Sequence, residues 1–156
     1  MTEPAFHLED PRLRRFYEYW LSKCRPGRLP ARADIDPVDI PDLLPWIMLL
    51  DVVAAPNGYR FRFRLVGTGL VARGGRDATG KFYDELFSAR QTARFTAIYT
   101  DVINSRQPHH YHADFDIERL EGREHIRYER LLCPLAADGT HVDMLIGVLA
   151  FLDSPT

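Results

Sequence analysis

The sequence predicts an α+β domain in which a five-stranded antiparallel sheet carries helices grouped on one face, with a further helix at the N-terminal end. Two observations lead there. Hydrophobic periodicity reads as helix, strand, strand, short helices, longer helix, then three strands. Tight turn signals join neighbouring strands, as at Pro56-Asn57-Gly58 and Ala137-Asp138-Gly139-Thr140, and strands joined so closely must run antiparallel. With 156 residues, 46% of them hydrophobic, the chain holds material for one compact core and too little for two.

The first helix opens at Asp10-Pro11, an N-cap acceptor followed by proline at the first helical position. Leu13, Phe16, Tyr17, Trp20, Leu21 and Cys24 recur at helical spacing before Pro26-Gly27 stops it. We therefore divide the chain into an amphipathic helical unit, 1–27, and a main domain, 28–156. The aromatic stripe must cover something: the chain's own sheet, or the equivalent helix of a second subunit.

The segment from Arg28 to Trp46 contains four prolines, which predicts an extended connector with one short helix near Pro37 to Leu44. Ile47 to Ala54 and Tyr59 to Val66 follow as a strand pair. In the second, Phe61, Phe63 and Leu65 face one way and Arg60, Arg62 and Arg64 the other; the arginines read first as protection of a sheet edge and second as an anion-docking surface. Glycines at 67, 69, 74, 75 and 80 break the next stretch into short helical turns, without the G-x-x-x-x-G-K-[ST] run of a nucleotide loop. Ala89 to Arg106 is a longer helix with Ala93, Phe95, Ala97, Ile98, Val102 and Ile103 on its apolar face. Three strands close the chain: His109 to Glu118, His125 to Leu135, and His141 to Leu152.

These features carry a resemblance. The LPARADIDPVDIPDLLPWIMLLDV segment, FRLVGTGL, GRDATG and PLAADGTHVDMLIG are similar to the Per-Arnt-Sim (PAS) superfamily, in particular to a stand-alone proteobacterial branch, over about Trp20 to Leu152. The resemblance implies a sheet in spatial order 2-1-5-4-3 that cradles the small helices between strands two and three. It also implies a sensory role. Ile47 to Ala54 and Val142 to Leu152 are apolar on both faces, as central strands covered on both sides should be; a homodimer paired through the first helix is the expected assembly.

Composition narrows the function. Twenty basic against 22 acidic residues give a net charge of −2, so the footprint of a nucleic-acid binder is missing. No apolar run approaches a membrane span and no leader pattern opens the chain, which places the protein in the cytoplasm. Cys24 and Cys133 have neither zinc spacing nor a disulfide framework.

Among candidate sites, His110, His112, Asp114 and Asp116 share one strand face while His109 takes the other, a solvated polar face rather than a metal site. Cys133-Pro134 resembles a haem-ligating pair, yet a proline closing a strand accounts for it, and no histidine falls in the inserted helices. GRDATGKFY resembles the light-oxygen-voltage flavin segment with Ala78 in place of the adduct-forming cysteine, which argues against cysteinyl-flavin photochemistry. No local catalytic motif is present, although a pair such as Asp51 with His141 could meet across neighbouring strands.

Arg130 is the most informative residue. If Glu121-Gly122 forms a two-residue turn, Phe115 faces Tyr128, Ile117 faces Ile126 and Ala113 faces Arg130, which sets the cation in a buried row. It must then find a partner within the chain such as Asp51 or Asp84, snorkel out near the sheet end, or meet an anionic ligand. In the last case Tyr111, Tyr128, Phe63, Thr68 and Tyr83 are its expected neighbours in the PAS cavity. The sequence thus points to a non-catalytic sensory module that binds a small molecule or a separate signalling partner, the alternatives being a ligand-free dimerisation module and an enzyme of unknown chemistry.

Overall fold

The computed structural model describes residues 7–119 and 122–152, with the backbone alone for 115 and 117–119. Helix α1, Pro11–Lys23, begins where the Asp10 carboxylate accepts from the backbone N–H of Arg12 at 2.8 Å. The chain then turns tightly at Gly27, where φ is 70°. In place of one helix near Pro37 to Leu44, three single 3₁₀ turns follow at Arg32–Asp34, Pro37–Asp39 and Leu44–Trp46. Pro41 and Pro45 each remove a backbone donor, so no turn can propagate.

Strands β1 (Ile47–Ala55), β2 (Gly58–Val66), β3 (His109–Arg119), β4 (Gly122–Leu135) and β5 (Met144–Phe151) form one antiparallel sheet in the order β2-β1-β5-β4-β3. The expected topology is correct, and three details differ. Strand β5 starts at Met144 rather than His141, because Asp138 accepts from the N–H groups of Thr140 and His141 and extends the turn. A bulge pairs Leu49 with Leu65 but Leu50 with Phe63, leaving Arg64 unopposed; Leu65 is thereby turned away from Phe61 and Phe63 and is 40% exposed. In the β3–β4 hairpin, Arg119 pairs with Gly122 and Tyr111 with Arg130, two residues from the expected register, because Gly122 is the first strand residue (φ 124°) and not part of the turn. A slip of two preserves every side chain's face. Arg130 therefore stays in the inward row, opposite Tyr111 rather than Ala113; the expected inward positions of Phe115 and Ile117 concern side chains outside the described residues.

The inner face of the sheet carries α2 (Thr68–Gly74), α3 (Tyr83–Leu86) and α4 (Ala89–Ser105). On α4 the buried residues are Phe95, Tyr99 and Val102, spaced i, i+4, i+7, while Ala93 and Ala97 are exposed. Against them pack Met48, Leu50, Phe61, Phe63, Tyr83, Leu132 and Leu145. The outer face has its own core, in which Leu13, Phe16 and Trp20 of α1 meet Leu49, Leu131, Cys133, Ile146 and Val148, with Tyr17 and Leu21 half-buried around them. The Trp20 indole N–H donates to the Pro134 carbonyl at 3.0 Å. Helix α1 thus covers its own chain's sheet.

Gly67 and Gly69 tie the two faces together. A Cβ on Gly67 would lie 2.4 Å from the Pro45 carbonyl oxygen, and one on Gly69 2.8 Å from the Trp46 ring. The start of α2 can therefore pack on the Leu44–Trp46 turn only with glycine at both places.

Candidate functional site

Between the inner sheet face and helices α2 to α4 lies a cavity of about 440 Å³. Its volume falls in the range that holds a metabolite-sized ligand. The walls are mostly apolar: Met48, Val66, Leu70, Leu86, Phe87 and Leu149 among them. Aromatic rings supply much of the rest. Tyr83 stacks on Phe87 with centroids 4.2 Å apart and on Phe63 at 5.9 Å, and it meets Phe95 and Tyr99 from the side.

Arg130 lines this cavity from the middle of β4, 3% exposed. Tyr111 pairs with it across β3 and Leu149 across β5. Its guanidinium carbon lies 5.0 Å from the Tyr111 ring centre, 5.4 Å from that of Phe95 and 5.6 Å from that of Tyr99, so three rings supply cation–π contact. The Tyr99 hydroxyl feels that charge, which pulls its titration down against the stronger upward push of burial. Nε and Nη2 have no hydrogen-bond partner, and no ion pair joins Arg130 to a carboxylate, among the described residues.

The tyrosines cannot act as its counter-ions. Burial holds the Tyr83 hydroxyl far above its ordinary titration range, raises that of Tyr99, and pushes Tyr128 up to about 12, in each case against the opposing pull of Arg130. All three are neutral phenols near pH 7.

Of the residues expected at this site, Phe63, Tyr83, Tyr128 and Arg130 line the cavity. Tyr111 touches Arg130 and lines the adjoining cleft beside Arg94, whose Nη2 donates to its hydroxyl at 3.2 Å. Thr68 is exposed on the first turn of α2 and does not reach the cavity, because the close packing of Gly67 and Gly69 turns it outward. Phe95 was legible as part of the α4 stripe but not as a partner of Arg130, since that pairing depends on how α4 crosses the sheet, and Tyr99, buried on the same face, was not singled out.

The two carboxylates expected as partners of Arg130 within the chain serve elsewhere. Asp51 accepts from Arg62 and Arg64, each Nε at 3.2 Å, and Asp84 takes Arg60 in a two-pronged pair at 2.7 and 2.8 Å. The β2 edge is further covered by the segment carrying Gly80 and Lys81, which exchanges backbone hydrogen bonds with Phe63. Asp51 and His141 do not meet: His141 bonds Asp138 in the turn.

Glu129, the neighbour of Arg130 on the opposite face, is fully buried. Its two oxygens accept from the backbone N–H groups of Glu9 and Asp10 at 3.0 and 2.9 Å, and His110 Nε2 lies 3.2 Å away. This clamp on the segment leading into α1 has no local motif, so sequence reading missed it. It also corrects the view of that strand face as wholly solvated, since His110 is largely covered there. His112, Asp114 and Asp116 are exposed as expected, with His125 between the two aspartates.

Cys24 and Cys133 both pack in the outer core under α1, and burial raises each thiol. Neither lines the cavity, whereas Ala78 does; the cavity wall offers no thiol for a flavin adduct. Among the described residues no three His, Cys, Asp or Glu side chains are placed to hold a metal, and no helix is long and apolar enough to cross a membrane.

Similar folds occur in a LOV protein of Rhodobacter sphaeroides, with 14% identity over 90% of this chain and 68% of that one and a TM-score of 0.46. The light-state Aureochrome1 LOV domain gives 11% identity, 74% and 88% coverage and a TM-score of 0.46. A light-oxygen-voltage domain described with a flavin analogue gives 11%, 75% and 84%, and 0.48. Comparison with curated proteins gives no match. The PAS domain family matches residues 8–150, a span that includes α1, strands β1 to β4 and all but the last residue of β5, and the chain therefore belongs to the PAS domain family.

Proposed function

We propose that this PAS domain is a non-catalytic sensory module whose signal is a small anionic molecule held in the inner cavity, and that it passes its state to a separate protein partner. One observation carries this reading: a guanidinium buried in the cavity wall without a carboxylate partner among the described residues. An unpaired buried charge costs several kcal/mol, whereas a charge that meets its counter-ion when a ligand arrives turns that cost into affinity.

The alternative is a ligand-free dimerisation module that uses the first helix and the sheet. Burial of Leu13, Phe16 and Trp20 against the chain's own sheet supports the ligand-binding reading over it. The sensory reading is tested by native mass spectrometry of the full chain purified from its source cells. It expects a retained small molecule that is released on unfolding and absent from Arg130→Ala; an empty protein that takes up no small anion would contradict it.

A further inference from the structure

We propose that the cavity selects a monocarboxylate with an apolar body, its carboxylate gripped in two-pronged fashion by Nε and Nη2 of Arg130; this rests on the reading of the cavity as a ligand site. The atoms themselves indicate the class. Nε and Nη2 lie on the same edge of the guanidinium plane, and together they offer two parallel N–H donors at the spacing of two carboxylate oxygens. The structure leaves these two nitrogens without acceptors among the described residues. What is left open is one complete fork.

Charge sets the valence. Arg130 is the one buried cation in the cavity lining; Arg73 and Arg76 are exposed or half-exposed at the α2 end, where Arg76 donates to the Leu86 carbonyl. A single buried cation neutralises a single negative charge, so a dianionic phosphate would bring a second charge into an apolar site without compensation. Besides half-buried Glu124 and exposed Gln91, the remaining wall is dominated by Met48, Val66, Leu70, Leu86 and Leu149 with the stacked rings of Phe63, Tyr83 and Phe87, which favours an aliphatic or aromatic body over a sugar or polyol.

Both free nitrogens are shut off from solvent in this structure, packed among the Phe95, Tyr99 and Tyr111 rings. Engagement therefore requires the guanidinium to swing toward the cavity that its side chain already lines. Such a motion exchanges ring contacts for a charge-assisted pair, and it ties ligand binding to movement at the α4–β3 junction.

The test is calorimetric titration of the full chain with octanoate and 4-phenylbutyrate, with octanamide and 4-phenylbutyramide as their neutral counterparts, and with phenyl phosphate. The acids should bind about 10- to 100-fold more tightly than their amides, and R130Q, shown to be folded by circular dichroism, should erase that preference. Equal binding of acid and amide overturns the carboxylate assignment while leaving the cavity as a ligand site. Tighter binding of phenyl phosphate than of either acid overturns the monoanion assignment in the same way. Binding of no probe, to a protein that is also empty by native mass spectrometry, overturns this assignment and the sensory reading together. The acid–amide comparison uses the unaltered protein, so it decides the matter even if R130Q does not fold.

Discussion

Glu129 and Arg130 are neighbours in sequence, equally buried, and satisfied very differently. The glutamate has two backbone amides and a histidine within hydrogen-bonding distance; the arginine has the faces of three aromatic rings. Removing the first should therefore damage the fold and removing the second should not. Glu129→Ala is expected to cost about 2–4 kcal/mol by urea unfolding and to speed amide exchange at Glu9 and Asp10. Arg130→Met should stay within about 1 kcal/mol of the parent protein, because relief from desolvation offsets the lost ring contacts; a loss above about 3 kcal/mol would make Arg130 a structural residue. His109 reports on the same charge. Burial first, then Arg130 and His110, hold its titration below the ordinary 6.5, against a weaker upward pull from Asp101. The unfolded chain takes up that proton first as pH falls, so His109 contributes stability that is present above about pH 6.5 and lost below it. Its ring titration by NMR should move up in Arg130→Met and on carboxylate binding, and a midpoint at or above 6.5 in the unaltered protein would contradict this picture. At this scale the sequence disclosed Arg130 because a face is a matter of parity, which survives a two-residue register error. Thr68 and Leu65 were misplaced because helix orientation and a bulge leave no trace in alternation.

At the scale of elements, the FRLVGTGL segment is explained by contact rather than by chemistry. Gly67 and Gly69 let α2 sit on the Leu44–Trp46 turn, so the paired motifs LPW and GTG are two sides of one joint. Gly67→Ala should cost about 3 kcal/mol, since its Cβ would strike backbone that cannot give way. Gly74→Ala, inside the same helix with nothing within 4 Å, should instead gain about 0.5–1 kcal/mol. Thermal unfolding of the two variants checks the pair, and like-signed shifts would contradict the account. Helix and strand boundaries were legible to within a few residues because periodicity is local. The breakdown of the Pro37 to Leu44 helix was not, since Asp36-Pro37 opens a helix equally well whether or not Pro41 allows it to continue.

For the whole molecule, the sheet has two faces with different work. The outer face is a solid core closed by α1, so the double-sided hydrophobicity of β1 and β5 finds its second cover within the chain. The inner face is left open enough to hold a cavity in whose wall the buried Arg130 meets no carboxylate among the described residues. The fold, its topology and its family could be read from element order and motif segments; whether the cavity was open, and whether Arg130 had a partner, depended on where Asp51 and Asp84 went, which only tertiary structure decides. The central claim is that this charge awaits a ligand. The resonance of the Arg130 Nε–H in ¹H–¹⁵N spectra tests it most directly: titration with octanoate should shift that signal downfield, saturably and with slowed exchange, as a charge-assisted hydrogen bond forms. A signal that stays in place while octanoate binds, or an octanoate that does not bind at all, would contradict it.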